Sequence, residues 1–295
     1  MKLLPLRMGF EKYLDAIDTP NDWAKLGFLK AGIDGGILTG TSYMRRPYGE
    51  KGGMFGIDDA HFRGVLRLSK EQLTEYIKMA GKMGLQMAAH CVGDAACDVF
   101  ISAYDEVDRI DPIDKKRFTI IHADFTDDDM LKKVKELGLI LISQPAWHYM
   151  DGTIINRILD RDIMKTFLPY KKMDELDIKV CAGSDHMVKH DSLLSHNPYN
   201  PFAAMYNMVT RKTRKGDLVE PGQRISREKA LRMYTIDSAY ASFDESIKGS
   251  LEKGKLADLA VLTGDYLACP EEEIPFIEAE LTMTGGRIVY SLDPQ

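Results

Sequence analysis

Short apolar runs that alternate with helix-like segments restrict the fold of this sequence more than any other feature. Runs ending near residues 8, 34, 90, 122, 144 and 185 have the length and apolar content of buried strands. The segments between them carry helix signals, such as the capping-box start Ser69-Lys-Glu-Gln72. This alternation predicts a parallel sheet with right-handed helical crossovers. Six strands are two fewer than a complete (β/α)8 barrel needs.

Three of the predicted strands end on side chains that commonly bind metals. His90 and His122 each close an apolar run, and Asp185 follows a third run through Gly183 and Ser184. A single histidine in such a place is more often a hydrogen-bonded core or loop residue. The carboxyl ends of parallel strands share one rim, however, and barrel active sites lie there. The three together therefore favour a metal site.

Lys30 stands in the apolar, strand-like run of residues 26–34. Because lysine is rarely buried without a partner or a function, its position predicts that Lys30 has one of the two. A polar, glycine-rich loop of about 25 residues follows, which is longer than a compact domain needs for a simple connection. The sequence predicts that this loop covers a substrate. Tyr43 and Arg45 are its candidate substrate contacts, with a surface position as the alternative for Arg45.

Two further histidines near the predicted strand ends are candidate substrate residues. His148 is predicted in the loop after the strand that ends at Gln144, where it could hydrogen-bond a substrate carbonyl or an oxyanion. An ordinary loop histidine is an equally good interpretation. His186 directly follows Asp185 and could orient that carboxylate, or lie in solvent.

The composition excludes several classes of partner and predicts a cytoplasmic protein. A net charge of −6 argues against nucleic acid or an anionic membrane surface. The four cysteines form no CxxC pair and lie in or beside apolar runs, as reduced thiols do. Residues 1–7 contain too short an apolar stretch for a signal peptide, and no run is long enough to span a membrane. A small-molecule substrate is the expected partner.

The pattern changes after residue 248. A strand-like run near residue 260 and a hairpin around Gly285-Gly286 follow one another without intervening helices. The sequence therefore predicts two domains, a partial barrel over residues 1–248 and a small β-layer over residues 249–295.

At these residues the chain resembles the amidohydrolase superfamily, specifically its family 3 branch, which includes enzymes like the N-substituted formamide deformylases. The resemblance covers nearly the whole chain and consists of several motifs in a fixed order. They are Lys30 with Asp34-Gly-Gly, Ala-Ala-His90-Cys-Val-Gly-Asp94, Ile-Ile-His122-Ala, Ser-Gln-Pro145, Gly-Ser-Asp185, Arg232-Met-Tyr-Thr-Ile and the run from Lys248 to Leu259.

The resemblance implies a TIM barrel that is incomplete here, at about strands 3 to 8, followed by the C-terminal part of a small β-sandwich. It implies that Lys30 is carbamylated and bridges two divalent metals, with zinc as the expected ion and one or two ions bound. His90 and His122 would bind one of them. Asp185 would bind metal and act as general base while water hydrolyses an amide-type carbon–nitrogen bond.

One departure from the family pattern affects these expectations. The family's first barrel strand carries a His-x-His pair, and the seven histidines here, at 61, 90, 122, 148, 186, 190 and 196, form no such pair. The opening strands of the barrel and sandwich also have no counterpart. The chain is then the C-terminal portion of a longer enzyme, a partner of a complementing N-terminal chain, or a shortened descendant with reduced activity. An exposed sheet edge would also favour a homo-oligomer.

Two other functions remain compatible with the residues. A barrel metallo-phosphoesterase uses similar ligands, but it would need basic residues at the strand tips to bind phosphate. A non-catalytic remnant or subunit would retain the fold without metal-dependent activity, and it would gain no thermal stability from Zn²⁺.

Overall fold

The five predicted strands that fall within the described residues form one parallel sheet. The structure is a computed structural model that describes residues 27–112, 114–186 and 199–292. Neighbouring strands pair in chain order, as predicted. The predicted strand near residue 8 and the predicted helix over residues 9–18 lie outside the described residues. The strands are β1 (Phe28–Gly32), β2 (Gln86–Cys91), β3 (Thr119–His122), β4 (Ile140–Ser143) and β5 (Val180–Ala182).

Helices connect these strands, which confirms the mixed α/β fold. The helix after Ser69 begins with a complete capping box, because Ser69 Oγ accepts from the Gln72 amide while Gln72 Oε1 accepts from the Ser69 amide. The helices are α1 (Lys70–Lys82), α2 (Asp94–Asp108), α3 (Asp128–Glu136), α4 (Pro145–Ile158), α5 (Arg161–Met164), α6 (Tyr170–Glu175), α7 (Pro201–Thr210), α8 (Arg227–Tyr234) and α9 (Ile236–Ala241).

One face of the sheet forms the main hydrophobic core with the helices. Alternate strand residues such as Leu29, Met87 and Leu141 are buried in that core. On the opposite face lies a cavity of about 400 Å³, lined by residues of all five strands and by the segment after α9. Gln86 connects the end of α9 to the amino end of the sheet, since its side-chain amide donates to the carbonyl of Ala241, the last residue of that helix, at 2.8 Å.

Lys30 lies on the cavity side of β1, but it is exposed. Its apolar neighbours in sequence suggest a buried lysine, and the structure differs because burial here depends on the next strand. β1 pairs with β2 on one side, and no strand in the described ranges covers its other edge. Phe28, two residues earlier on the same face, is 40% exposed for the same reason.

The C-terminal β-layer is present as a separate antiparallel sheet. It consists of β6 (Leu259–Leu262), β7 (Ala279–Thr284) and β8 (Arg287–Ser291), in that order. The hairpin between β7 and β8 turns at Gly285 and Gly286, both of which have positive φ, as predicted. The domain boundary at residue 248 stays a prediction.

Two other expectations are compatible with the structure. Cys91, Cys97, Cys181 and Cys269 are free thiols, and the first three are buried. Across the described ranges, each helix is too short or too polar to cross a membrane.

The long loop after β1 packs directly on the amino end of α2. A side chain at Gly93 would bring its Cβ to 2.1 Å from the Tyr43 carbonyl oxygen, whereas a Cβ at Gly53 in the same loop meets nothing within 4 Å. We expect Gly93→Ala to lower the free energy of unfolding by about 1–3 kcal/mol, because the backbone must move. Gly53→Ala is the matched control and should change it by less than ~0.5 kcal/mol. Thermal and urea unfolding of both variants measures this, and equal stabilities would contradict the packing.

Candidate active site

The two predicted histidine ligands meet at the carboxyl ends of β2 and β3. His90 Nδ1 lies 2.8 Å from His122 Nε2, and the ring centroids are 4.3 Å apart at an interplanar angle of 75°. The parallel register produces this contact because His90 is aligned with Ile121, one residue before His122. His122 then takes a positive φ of 79°, which turns its side chain away from the strand's regular alternation.

The facing nitrogens fit a shared cation after a small adjustment. Zinc–nitrogen bonds of about 2.0–2.1 Å in tetrahedral geometry place two ligand nitrogens roughly 3.3 Å apart. The observed separation of 2.8 Å would need to open by about half an ångström. The His90 side chain is 23% exposed, so the pair can be reached from solvent.

Burial keeps both imidazoles neutral, the state in which histidine binds metals. Desolvation, together with a smaller effect of the neighbouring His90, lowers the pKa of His122 to about 3. Burial also lowers the pKa of His90. At neutral pH, one ring of the pair therefore donates a proton to the other.

Asp185 and Lys30 lie within electrostatic range of the pair. The Asp185 carboxylate raises the pKa of His90 and Lys30 lowers it, although burial has the larger effect. Asp185 is exposed and has a positive φ of 47°, a backbone conformation that costs energy for a residue other than glycine. Within the described part of the chain, no three His, Cys, Asp or Glu side chains are already arranged as metal ligands. Two imidazoles therefore converge, while metal binding by His90, His122, Lys30 and Asp185 stays a prediction.

His186 lies beside Asp185 at the edge of the site. Its backbone amide donates to Ser184 Oγ at 3.2 Å, and its half-buried ring packs edge-to-face against Tyr199 with centroids 5.2 Å apart. A role in orienting Asp185 stays a prediction.

Asp34 organises the loop entrance of the site, a role that the sequence pattern alone does not reveal. Its fully buried carboxylate accepts hydrogen bonds from the amides of Tyr43, Val92 and Gly93 at 2.8–3.0 Å. It also lies 3.8 Å from His90 Nε2. Burial raises the pKa of Asp34 to about 6 against the opposing effect of these amides. Asp34 thus holds the long loop after β1 against the end of β2, the strand that carries His90.

The loop residues Tyr43 and Arg45 also have structural contacts. Tyr43 packs its ring beneath the Arg63 guanidinium, 5.2 Å from the ring centroid. Arg45 donates from Nε to Asp98 at 2.6 Å and forms a second ion pair with Asp127. These acceptors raise the pKa of the Arg45 guanidinium. Arg45 therefore fastens the loop to α2 and α3, and a substrate contact by either residue stays a prediction.

The prediction that His148 lies in a loop is wrong, because His148 and its neighbour Trp147 belong to the first turn of α4. Pro145 occupies the first helical position, where its missing N–H costs nothing, and the helix begins there. Trp147 stacks on the His122 ring with centroids 4.7 Å apart and an angle of 24°. His148 is fully buried against Phe167, and its two ring nitrogens find no partner among the described residues.

Asp124 is a second acidic residue that the sequence analysis did not select. It is buried two residues after His122, and burial raises its pKa to about 8, with further increases from Asp34 and Asp185. Together Asp34, Asp124 and Asp185 bring three carboxyl groups to the same end of the sheet as the two imidazoles.

The Asp124 carboxyl should make the chelator-treated chain less stable as pH rises. The native state binds its proton up to about pH 8, whereas the unfolded state releases it near pH 3.9, so stability falls between these values. Asp124→Asn cannot ionise and should gain on the order of 1 kcal/mol relative to wild type per pH unit in this window. The exposed Asp111→Asn is the control. Urea unfolding at pH 5, 6.5 and 8 tests this, and a pH-independent difference would refute it.

Known proteins are similar to this chain over most of its length. Residues 4–290 match the amidohydrolase family. N-substituted formamide deformylase of Arthrobacter pascens is 30% identical over 224 residues, which are 75% of this chain and 40% of that protein. The putative amidohydrolase YtcJ of Bacillus subtilis is 25% identical over 271 residues, 91% of this chain and 48% of that protein.

Solved structures are also similar to this chain, over about half of their own length. A metal-dependent hydrolase from Pyrococcus horikoshii superposes with a TM-score of 0.70 at 23% identity, over 89% of this chain and 51% of that one. Its counterpart from Pyrococcus furiosus gives 0.64 at 25% identity, over 83% and 47%. The chain spans about half the length of these relatives. With a family match over nearly all of its residues, this chain belongs to the amidohydrolase family.

Proposed function

We propose that this chain carries the metal site of a hydrolase that cleaves amide-type carbon–nitrogen bonds. The observation that supports this most directly is the approach of His90 Nδ1 to His122 Nε2, 2.8 Å apart at adjacent strand ends. Membership of the amidohydrolase family supplies the reaction class. The name of the Arthrobacter pascens relative suggests N-substituted formamides as the first substrates to test.

The fold supports a barrel interpretation of the sheet. We infer that the five parallel strands are consecutive strands of an incomplete (β/α)8 barrel, with the cavity face as its interior. The exposed positions of Phe28 and Lys30 at β1 fit a barrel wall that continues beyond this strand. A polypeptide equivalent to the other half of the relatives would supply that wall, and a homo-oligomer is the alternative.

The neutral imidazoles of His90 and His122 would hold the cation, which we expect to be zinc. A divalent ion there would polarise the amide carbonyl and make water more acidic. Asp185 would accept the proton of the attacking water, since its carboxylate is exposed and lies within electrostatic range of His90. Carbamylation of the accessible Lys30 amine would add an anionic oxygen ligand and allow a second ion.

The remaining residues would bind and enclose the substrate. Tyr43 borders the site through the loop that Asp34 anchors, so its ring is a plausible wall for the substrate. Arg45 would act by keeping that loop closed over α2 rather than by direct contact. His186 would orient Asp185, whereas the complete burial of His148 against Phe167 favours a packing role.

Metal binding is the first test, because it separates a hydrolase site from a non-catalytic remnant. We expect Zn²⁺ at 100 times its dissociation constant to stabilise the chelator-treated chain by about 2.7 kcal/mol. His90→Asn and His122→Asn should each abolish this gain. His61→Asn, at an exposed position, is the control and should retain it. Thermal unfolding with and without Zn²⁺ measures the effect, and a wild-type chain that gains nothing would support the remnant.

Hydrolysis is the second test. We expect Asp185→Asn to lower kcat for an N-formylated amine by about 10²–10⁴-fold, because a general base contributes a factor of this size. The assay should use the 295-residue chain alone and together with a polypeptide equivalent to the amino-terminal half of the relatives. Release of formate measures the rate. Full activity of Asp185→Asn would exclude Asp185 as the base, and absence of turnover in both wild-type mixtures would contradict the proposed reaction.

A further inference from the structure

Gln144 lies at the carboxyl end of β4, and one polar atom of its side chain has no hydrogen-bond partner among the described residues. It directly follows β4, precedes α4 and is 4% exposed. Its side-chain Nε2 donates to the Ile142 carbonyl at 3.3 Å, which leaves Oε1 as the free end of the amide. Oε1 is buried and has no hydrogen-bond partner within the described ranges.

The His122 ring also has a polar atom without a hydrogen-bond partner among the described residues. Its Nε2 is occupied by His90 Nδ1, while its own Nδ1 is buried and lacks a partner in the part of the chain that the structure describes. The Gln144 side chain also raises the pKa of His122, as an acceptor close to the ring does, although burial dominates that pKa. The two residues are neighbours because β3 and β4 are paired with Ile121 aligned to Ile142, so His122 and Gln144 follow adjacent strand positions and carry two buried, unpaired atoms.

We propose that Gln144 is a positioning residue that accepts the Nδ1 proton of His122 and thereby directs the His122 Nε2 lone pair toward His90 Nδ1. The opposite tautomer would leave the Nδ1 lone pair facing the Gln144 oxygen, with both acceptors buried and without a proton between them. Trp147 also contacts His122, since its indole stacks on the imidazole ring and restricts the orientation of that ring.

This tautomer matters for the proposed metal site, and that part of the inference depends on the proposed function. A histidine that binds a cation through one nitrogen generally donates its other N–H to a fixed acceptor, and loss of that acceptor weakens metal binding 10–100-fold. His122 can bind through Nε2 only when its proton is on Nδ1. Gln144 would therefore keep His122 in the tautomer whose Nε2 can bind a cation shared with His90.

Histidine NMR on the metal-free 295-residue chain tests the tautomer without any metal. With ¹⁵N-labelled histidine, and the His122 signal assigned by its loss in His122→Asn, wild type should show the proton on Nδ1. Gln144→Met removes the acceptor at similar size and should shift His122 to the Nε2–H form or to a mixture. Gln144→Glu keeps an oxygen acceptor and should retain the Nδ1–H signal. A wild-type Nε2–H tautomer, or an unchanged tautomer in Gln144→Met, would overturn the proposal.

Zinc titration of the same three proteins gives the second measurement. We expect Gln144→Met to bind Zn²⁺ about 10–100-fold more weakly than wild type, and Gln144→Glu to remain within a few-fold. Equal melting temperatures of the metal-free forms would exclude a general packing defect. If wild type shows the Nδ1–H tautomer but binds no zinc, the proposed function fails while the Gln144–His122 interaction stands. Equal zinc affinity of wild type and Gln144→Met would overturn the effect of Gln144 on metal binding.

Discussion

The contact between the His90 and His122 imidazoles depends on the parallel register of β2 and β3, and the rest of the site depends on that contact. A shift of one residue would turn one ring to the opposite face of the sheet. The register is fixed by the core residues that alternate with the ligands, such as Ala89, Cys91 and Ile120 on the helix face. The same apolar pattern that stabilises the sheet therefore places two imidazole nitrogens 2.8 Å apart.

Much of this arrangement could be predicted from the sequence, because strand ends and helix starts have local signals. The strands that carry Lys30, His90, His122 and Asp185 follow from short apolar runs between helix-like segments. The helical position of Trp147 could have been predicted as well, since Pro145 followed by helix-forming residues is a start signal.

Other features depend on distant residues and could not be predicted. Asp34 contacts the amides of Val92 and Gly93, which are almost sixty positions away in the chain. The unpaired side-chain atoms of Gln144 and His122 lie at the ends of two neighbouring strands, and neither residue has a local pattern that reveals the other. The exposure of Lys30 is set by which strand lies next to β1, so its apolar neighbours in sequence are not informative about it.

The charge distribution gives an independent reason to expect a cation at this end of the sheet. Asp124 is buried near Asp34 and Asp185, and burial with mutual repulsion raises the pKa of Asp124 to about 8. Such a cluster destabilises a folded chain at neutral pH unless a positive charge lies between the carboxylates. A divalent ion held by His90 and His122 would supply that charge and return Asp124 to its ionised form. Metal binding, chain stability and the ionisation of Asp124 would then be three aspects of one equilibrium.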